Sequence, residues 1–196
     1  MIYSLVTSEK NIDHFDKIIL GIDPGTNIMG YGLIGTKGNE IYYIASDVMD
    51  LRKLKTHGEK LAEILNSCQA IIRKFLPDEM ALEAPFYGKN IQSMLKLGRA
   101  QGLAIAAAIQ HQIPIFEYAP KKVKQSITGN GNASKEQLET MVMRLLKIKE
   151  KPEFLDSSDA LGVAICHYFQ SSSILDKTKT KNWSNFLKNN PDRLKT

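Results

Sequence analysis

The sequence predicts an α/β fold, a mixed five-stranded sheet flanked by helices. Three observations point there. Three apolar runs joined by short glycine-containing turns open the chain. The hydrophobic spacing then switches to steps of three and four residues, the period of a helix. Beyond that switch, short apolar runs alternate with longer helical patterns, as parallel crossovers require.

Lys17–Asp23 (KIILGID) reads as a buried strand, and Ile28–Gly35 and Glu40–Val48 as two more. Gly25 and the Lys37-Gly38-Asn39 cluster mark the turns, so the three strands form an antiparallel meander. Leu61, Ile64, Leu65, Cys68, Ile71, Ile72, Phe75 and Leu76 then line one face of an amphipathic helix, which Pro77-Asp78 stops. Glu79–Glu83 has room only for a short strand. A long helix follows, from about Asn90 to His111, whose surface is smoothed by Gly98, Ala100, Gly102, Ala104, Ala106, Ala107 and Ala108. Such a surface suits either a central packed helix or a contact between two copies of the chain. Ile113–Tyr118 is the fifth strand. A basic helix runs from Pro120 to the Gly129-Asn130-Gly131 loop, and Ser134 with Gln137 has the spacing of a capping box opening the next helix. The last helix begins near Asp156 and ends near Phe169, completing the order βββαβαβααα.

Composition fits this reading. With 43% hydrophobic and 24% charged residues, the 196-residue chain has the balance of a soluble globular protein with one main domain. No apolar run approaches the roughly 18–20 residues of a membrane span. The N-terminus lacks a charged leader followed by an apolar stretch, which argues against a signal peptide. Cys68 and Cys166 fall in apolar periodic segments, so they read as small buried hydrophobes of a reducing compartment, the cytoplasm. The expected boundaries are an extension over 1–16, a domain over 17–170 and a basic tail over 171–196. That tail carries six Lys/Arg against Asp176 and Asp192, most of the net charge of +5. It is either a solvated end or a weak attractor of polyanions.

Four acids break local hydrophobic rules. Asp23 interrupts the apolar run of the first strand, and Glu83 ends Met80-Ala81-Leu82. Asp156 and Asp159 share one face at the start of a helix. Ionised carboxylates are rarely buried unless paired or bound to metal, and several on one site repel each other unless a cation lies between them. A hard cation taking oxygen ligands, Mg²⁺ or Mn²⁺, suits such a set. Each acid also has a plain structural reading: Asp156 a helix cap, Asp159 a first-turn acid, Glu83 an exposed strand end. Asp23 before Pro24 is the hardest to explain that way, since its flanks are buried. No Walker A pattern and no G-x-S-x-G elbow occur, and the histidines 14, 57, 111 and 167 do not fall at zinc-ligand spacings. His167 reads as a packing residue.

At four places the sequence resembles the RuvC Holliday-junction resolvases of the RNase H-like superfamily: IILGIDPGTNIMGYGLI, LEAPFYGKNIQSMLKLGRAQG, YAPKKVKQSITGNGNASKEQ and DSSDALGVAICH. The blocks span roughly Lys17 to Phe169. The resemblance implies an RNase H-like fold and catalytic, metal-binding roles for Asp23, Glu83, Asp156 and Asp159. It implies two-metal hydrolysis with Mg²⁺, or Mn²⁺ in its place, leaving 5′-phosphate and 3′-hydroxyl ends on a four-way DNA junction. It assigns Phe86 to the opened junction, Lys89 and Asn90 beside it to the DNA face, and Lys124 and Lys135 to the scissile phosphate. Lys121 and Lys122 would hold the backbone, unless they are plain solvated surface. A homodimer nicking two strands symmetrically, working with the RuvA–RuvB branch-migration helicase complex, is the implied assembly. Ala84-Pro85 and Tyr87 depart from the family's usual pattern, which bears on sequence preference.

Three other readings remain to be weighed. A phosphate-cradling ATPase of the actin and Hsp70 kind needs two Asp-x-Gly strand turns, and Asp23 provides the one in this chain. A non-catalytic junction binder of the same fold would be marked by a lost carboxylate. An RNase H-like nuclease for other structured nucleic acids would share the acid set.

Overall fold

A computed structural model describes residues 14–85, 90–148 and 155–180. The chain runs β1 (Lys17–Asp23), β2 (Ile28–Lys37), β3 (Glu40–Asp50), α1 (His57–Phe75), β4 (Glu79–Glu83), α2 (Ile91–Gln110), β5 (Ile115–Tyr118), α3 (Pro120–Thr128), α4 (Lys135–Leu145) and α5 (Leu155–Thr180). The strands form a sheet in the order β3-β2-β1-β4-β5. β1, β2 and β3 are the expected antiparallel meander, and β4 and β5 add in parallel through α1 and α2.

Strand alternation divides the molecule into two cores. Ile18, Leu20 and Ile22 of β1, Met29, Tyr31 and Leu33 of β2, and Met80 and Leu82 of β4 face α1 and α2. The intervening residues, including Ile19, Ile34 and Ala81, face α3, α4 and α5. Because successive side chains on a strand point to opposite faces, Asp23 and Glu83 share the α5 face with Ile19 and Ala81. The pairing Ile22↔Leu82 sets the two acids side by side at the ends of adjacent parallel strands.

α5 lies against that face through glycine. Gly21 and Gly32 are cross-strand partners, and Gly30 pairs with Asp23. A methyl group on Gly21 would overlap the Ala160 carbonyl, one on Gly30 the Asp156 carbonyl, and one on Gly32 would meet the Leu161 side chain. These three positions let the α5 backbone approach β1 and β2 closely. The approach is what delivers the start of α5 to the end of β1.

The helix boundaries follow local chemistry. Thr56 and Glu59 form a capping box that starts α1 one turn before its first apolar residue. The capping box predicted at Ser134 and Gln137 is present and opens α4. α5 extends to Thr180, well past the predicted end near Phe169. Its polar continuation carries no apolar stripe from which its length could be read. Phe15 and Asp16, placed by sequence in the extension, already pack on the sheet. The Phe15 ring covers Gly35 and contacts Tyr42, and the Asp16 amide donates to the Thr36 carbonyl at 2.8 Å. Cys68 and Cys166 are buried and unpaired by any disulfide, and burial pushes the Cys68 thiol up to about 12. No helix among the described residues is long and apolar enough to cross a membrane.

Candidate active site

Asp23 comes from the last position of β1, Glu83 from the last of β4, and Asp156 and Asp159 from the first turns of α5. The carboxylates of Asp23, Asp156 and Asp159 place one oxygen each within 4.8 Å of one another. Asp159 is nearly buried, at 8% exposure. Glu83 stands beside them. Burial, and then the Asp159 charge, raise its carboxyl pKa, with Lys135 and Lys124 pulling the other way.

Asp23 bears the largest cost. Burial first, then the charges of Glu83 and Asp159, push its carboxyl from 3.8 to about 8, against the lowering influence of Lys135. Such crowding is what a cation relieves. The donors are all carboxylate oxygens, without histidine or cysteine, and their spacing suits a small hard ion. The residues present therefore fit a divalent oxygen-seeking cation, and among the described residues no other group of acids, histidines or cysteines converges this way.

The raised carboxyl has a testable sign. Between pH 4 and pH 8 the folded chain keeps a proton on Asp23 that the unfolded chain has released. The Asp23 contribution to metal-free stability therefore falls as pH rises through that window. Thermal melts in EDTA should drop from pH 5 to pH 8 more steeply for the wild type than for Asp23→Asn. Mg²⁺ should recover more at pH 8 than at pH 5. Equal slopes for the two proteins would show that Asp23 is not held in this environment.

The predicted cations divide. Lys135, at the first position of α4, places its ammonium 2.5 Å from Asp159 Oδ2. Lys124 on α3 lies near enough to act on Glu83. Lys121 and Lys122 are exposed on the first turn of α3 and show no contact with the acids. Asn90 is the N-cap of α2, its side-chain oxygen accepting from the Ser93 amide at 3.1 Å. Phe86 and Lys89 lie outside the described residues.

Several supporting residues escaped the sequence reading. Gly21, Gly30 and Gly32 form the seat of α5, and they become a group only when the strands are paired. Lys60 donates to Asn27 Oδ1 at 2.7 Å and so ties the turn after Asp23 to α1. Gln125 fastens the 129–131 loop by donating to the Gly129 carbonyl and accepting from the Gly131 amide. Glu79, on the same strand face as Glu83, belongs to a different cluster. It pairs with Lys17 at 2.6 Å, while His167 lies 2.7 Å from both Glu79 and the Tyr118 hydroxyl and stacks on Phe116. His167, 2% exposed, is the packing residue expected.

Comparison with known proteins agrees with this geometry. The family model for crossover junction endodeoxyribonuclease RuvC matches residues 19–167. A RuvC of that description from Cytophaga hutchinsonii is 58% identical over 181 residues, 92% of this chain and 90% of its own. One from Porphyromonas gingivalis is 50% identical over 186 residues, 92% of this chain and 98% of its own. The structure of Thermus thermophilus RuvC in complex with a Holliday junction substrate superposes with a TM-score of 0.74 at 29% identity, covering 79% of this chain and 94% of that one.

Proposed function

The chain belongs to the RuvC family of crossover junction endodeoxyribonucleases, and from that membership we propose how its acidic site resolves a Holliday junction. The enzyme is a structure-specific endodeoxyribonuclease of RNase H-like fold. The observation that carries the mechanism is the convergence of Asp23, Asp156 and Asp159 within 4.8 Å, beside Glu83.

Asp23 would be the central ligand, because the charges of Glu83 on the neighbouring strand and of both α5 acids act on it. These four carboxylates would hold two divalent cations, Mg²⁺ or Mn²⁺. When bound, such a pair supplies a hydroxide at neutral pH and neutralises charge on the phosphodiester in flight. Rigidity is the protein's contribution: strand ends and a helix seated on glycine hold the acids without reorganisation. Water is the attacking group and the 3′ oxygen leaves, taking up a proton as the P–O3′ bond breaks, so the products carry 5′-phosphate and 3′-hydroxyl ends. Lys124 and Lys135 meet the phosphate at the site. Lys121 and Lys122, with Lys89 and Asn90, hold the DNA backbone, and such contacts position DNA without reading its sequence. Phe86 serves the opened junction.

The reading is tested by cutting a mobile four-way junction against matched linear duplex, with Mg²⁺ or EDTA. Paired, ligatable nicks on the junction alone, lost in EDTA, support it. Equal cutting of duplex would favour a general nuclease, and metal-independent binding without nicks a junction binder.

Homodimerisation has a surface to use. One face of α2 buries Ala100, Ala104, Ala107 and Ala108 in the core. Its other face exposes Ile91, Leu95 and Ile109, and around Gly98 and Gly102 there is open space. This stripe runs for about 27 Å at 1.5 Å per residue. Two copies paired through it would place one site on each of two strands, as a pseudo-two-fold junction requires. Leu95→Arg should convert the dimer to monomer in sedimentation velocity and turn paired nicks into single ones. An unchanged sedimentation coefficient would place the dimer contact elsewhere. We further propose that the enzyme acts in the cytoplasm alongside a RuvA–RuvB complex.

A further inference from the structure

Lys135 does something in the free protein that contact with phosphate does not explain. Its ammonium lies 2.5 Å from Asp159 Oδ2, inside the acid cluster rather than out toward DNA. The Asp159 side chain is 11% exposed, whereas that of Lys135 is 55% exposed. A flexible stem thus reaches from solvent and inserts its charged tip among carboxylates. The root of the stem is fixed: Ser134 and Gln137 cap the helix start, and Leu138 and Val142 are buried beneath it. Only the side chain is free to leave.

We propose that Lys135 is a resident counter-ion of Asp159, whose ammonium holds the carboxylate oxygen that a divalent cation needs, so that loading at Asp159 requires the lysine to withdraw. This rests on the reading of Asp23, Glu83, Asp156 and Asp159 as the metal set. A charge-assisted hydrogen bond occupies a lone pair of the oxygen and neutralises its charge, and both are what a metal takes from a carboxylate. Lysine suits the role better than arginine would, being a compact charge on a rotatable four-carbon stem. The free enzyme is therefore under-loaded at Asp159, while its like-charged acids are kept together in one fold. The displaced ammonium, on its exposed stem, becomes available to the phosphate.

The test is Mn²⁺ binding to the full chain without DNA, read by the electron paramagnetic resonance of free Mn²⁺. Wild type, Lys135→Met, Lys124→Met and Asp23→Asn are compared. Lys135→Met should bind Mn²⁺ on the order of tenfold more tightly than wild type, as removal of a paired competitor predicts. Lys124→Met removes the same charge near Glu83 without breaking a bridge and should shift affinity far less. If the two lysine variants gain equally, the effect is general electrostatics and the counter-ion role is overturned. A weaker or unchanged Lys135→Met overturns it as well. Should Lys135→Met fail to fold by circular dichroism, Lys135→Gln serves in its place with the same expected gain. Asp23→Asn separates the two levels: if it binds Mn²⁺ as wild type does, the metal set itself is misassigned, and otherwise only the lysine is in question.

Discussion

Asp23→Asn should abolish junction cleavage while leaving a more stable protein. The first half follows from position. The charges of Glu83, Asp159 and Asp156 all act on Asp23, and its oxygen is one of three within 4.8 Å. An amide oxygen there keeps the shape and loses the charge. Removing one preorganised electrostatic group from an active site costs on the order of 10²–10³-fold in rate. Loss of a charge at the most crowded of the four acids should reach the upper end of that range or pass it. The second half follows from the raised carboxyl. With no cation, wild-type Asp23 sits buried among like charges and is pushed to about 8. Asparagine removes that repulsion, so the melting temperature in EDTA at pH 8 should rise. Junction affinity in EDTA should hold or improve, since one negative charge near the phosphate is gone. Single-turnover cleavage, a melting curve and a gel-shift titration decide all three. A variant that cleaves within tenfold of wild type would remove Asp23 from the centre of the mechanism. One that melts earlier would show its carboxylate to be stabilised rather than strained.

The acids were legible because each broke a pattern that could be read along the chain. An Asp inside an apolar strand, a Glu ending another, and two acids at helical spacing are local signals. β1 and β4 have the bounds read from sequence, Lys17–Asp23 and Glu79–Glu83. Both are apolar runs closed by an acid and proline, so composition and turn chemistry agree. Boundaries moved where polar groups decide them. α1 starts at His57 because Thr56 and Glu59 cap it, four residues before the apolar stripe begins. α5 continues past Phe169 through a mainly polar sequence with no apolar stripe to mark its end. The strand expected from Ile113 starts at Ile115, because the Ile113 amide is taken by the Ala108 carbonyl at the end of α2. Least legible were the glycines. Gly21, Gly30 and Gly32 look like ordinary strand weakeners until pairing puts Gly21 opposite Gly32 and α5 above them. Pairing is a long-range fact, and no local pattern carries it.

Those glycines make the second large prediction. Gly30→Ala adds one methyl group where the Asp156 carbonyl already lies. Backbone cannot rotate away as a side-chain tip can, so α5 must lift or β2 must sink. Overpacking of this kind costs about 1–3 kcal/mol of stability. The functional loss should be larger than the stability loss implies. The methyl group presses on the residue that bears one of the site carboxylates, and Asp23 is the cross-strand partner of Gly30. A misplacement near 1 Å in a preorganised site costs about 10²-fold in rate. Gly30→Ala should therefore stay folded, with a melting temperature lower by several degrees, and cleave junctions about a hundredfold more slowly. Junction binding should change little, because the exposed lysines do not rest on this contact. Gly58→Ala, on α1 away from the site and with nothing within 4 Å of an added methyl, is the control for substituting a glycine as such. If Gly30→Ala loses rate only in proportion to its unfolded fraction, the glycine seat is structural and the acids tolerate its movement. A slow, folded Gly30→Ala beside an active Gly58→Ala would mean that cleavage depends on how closely one helix backbone approaches one strand.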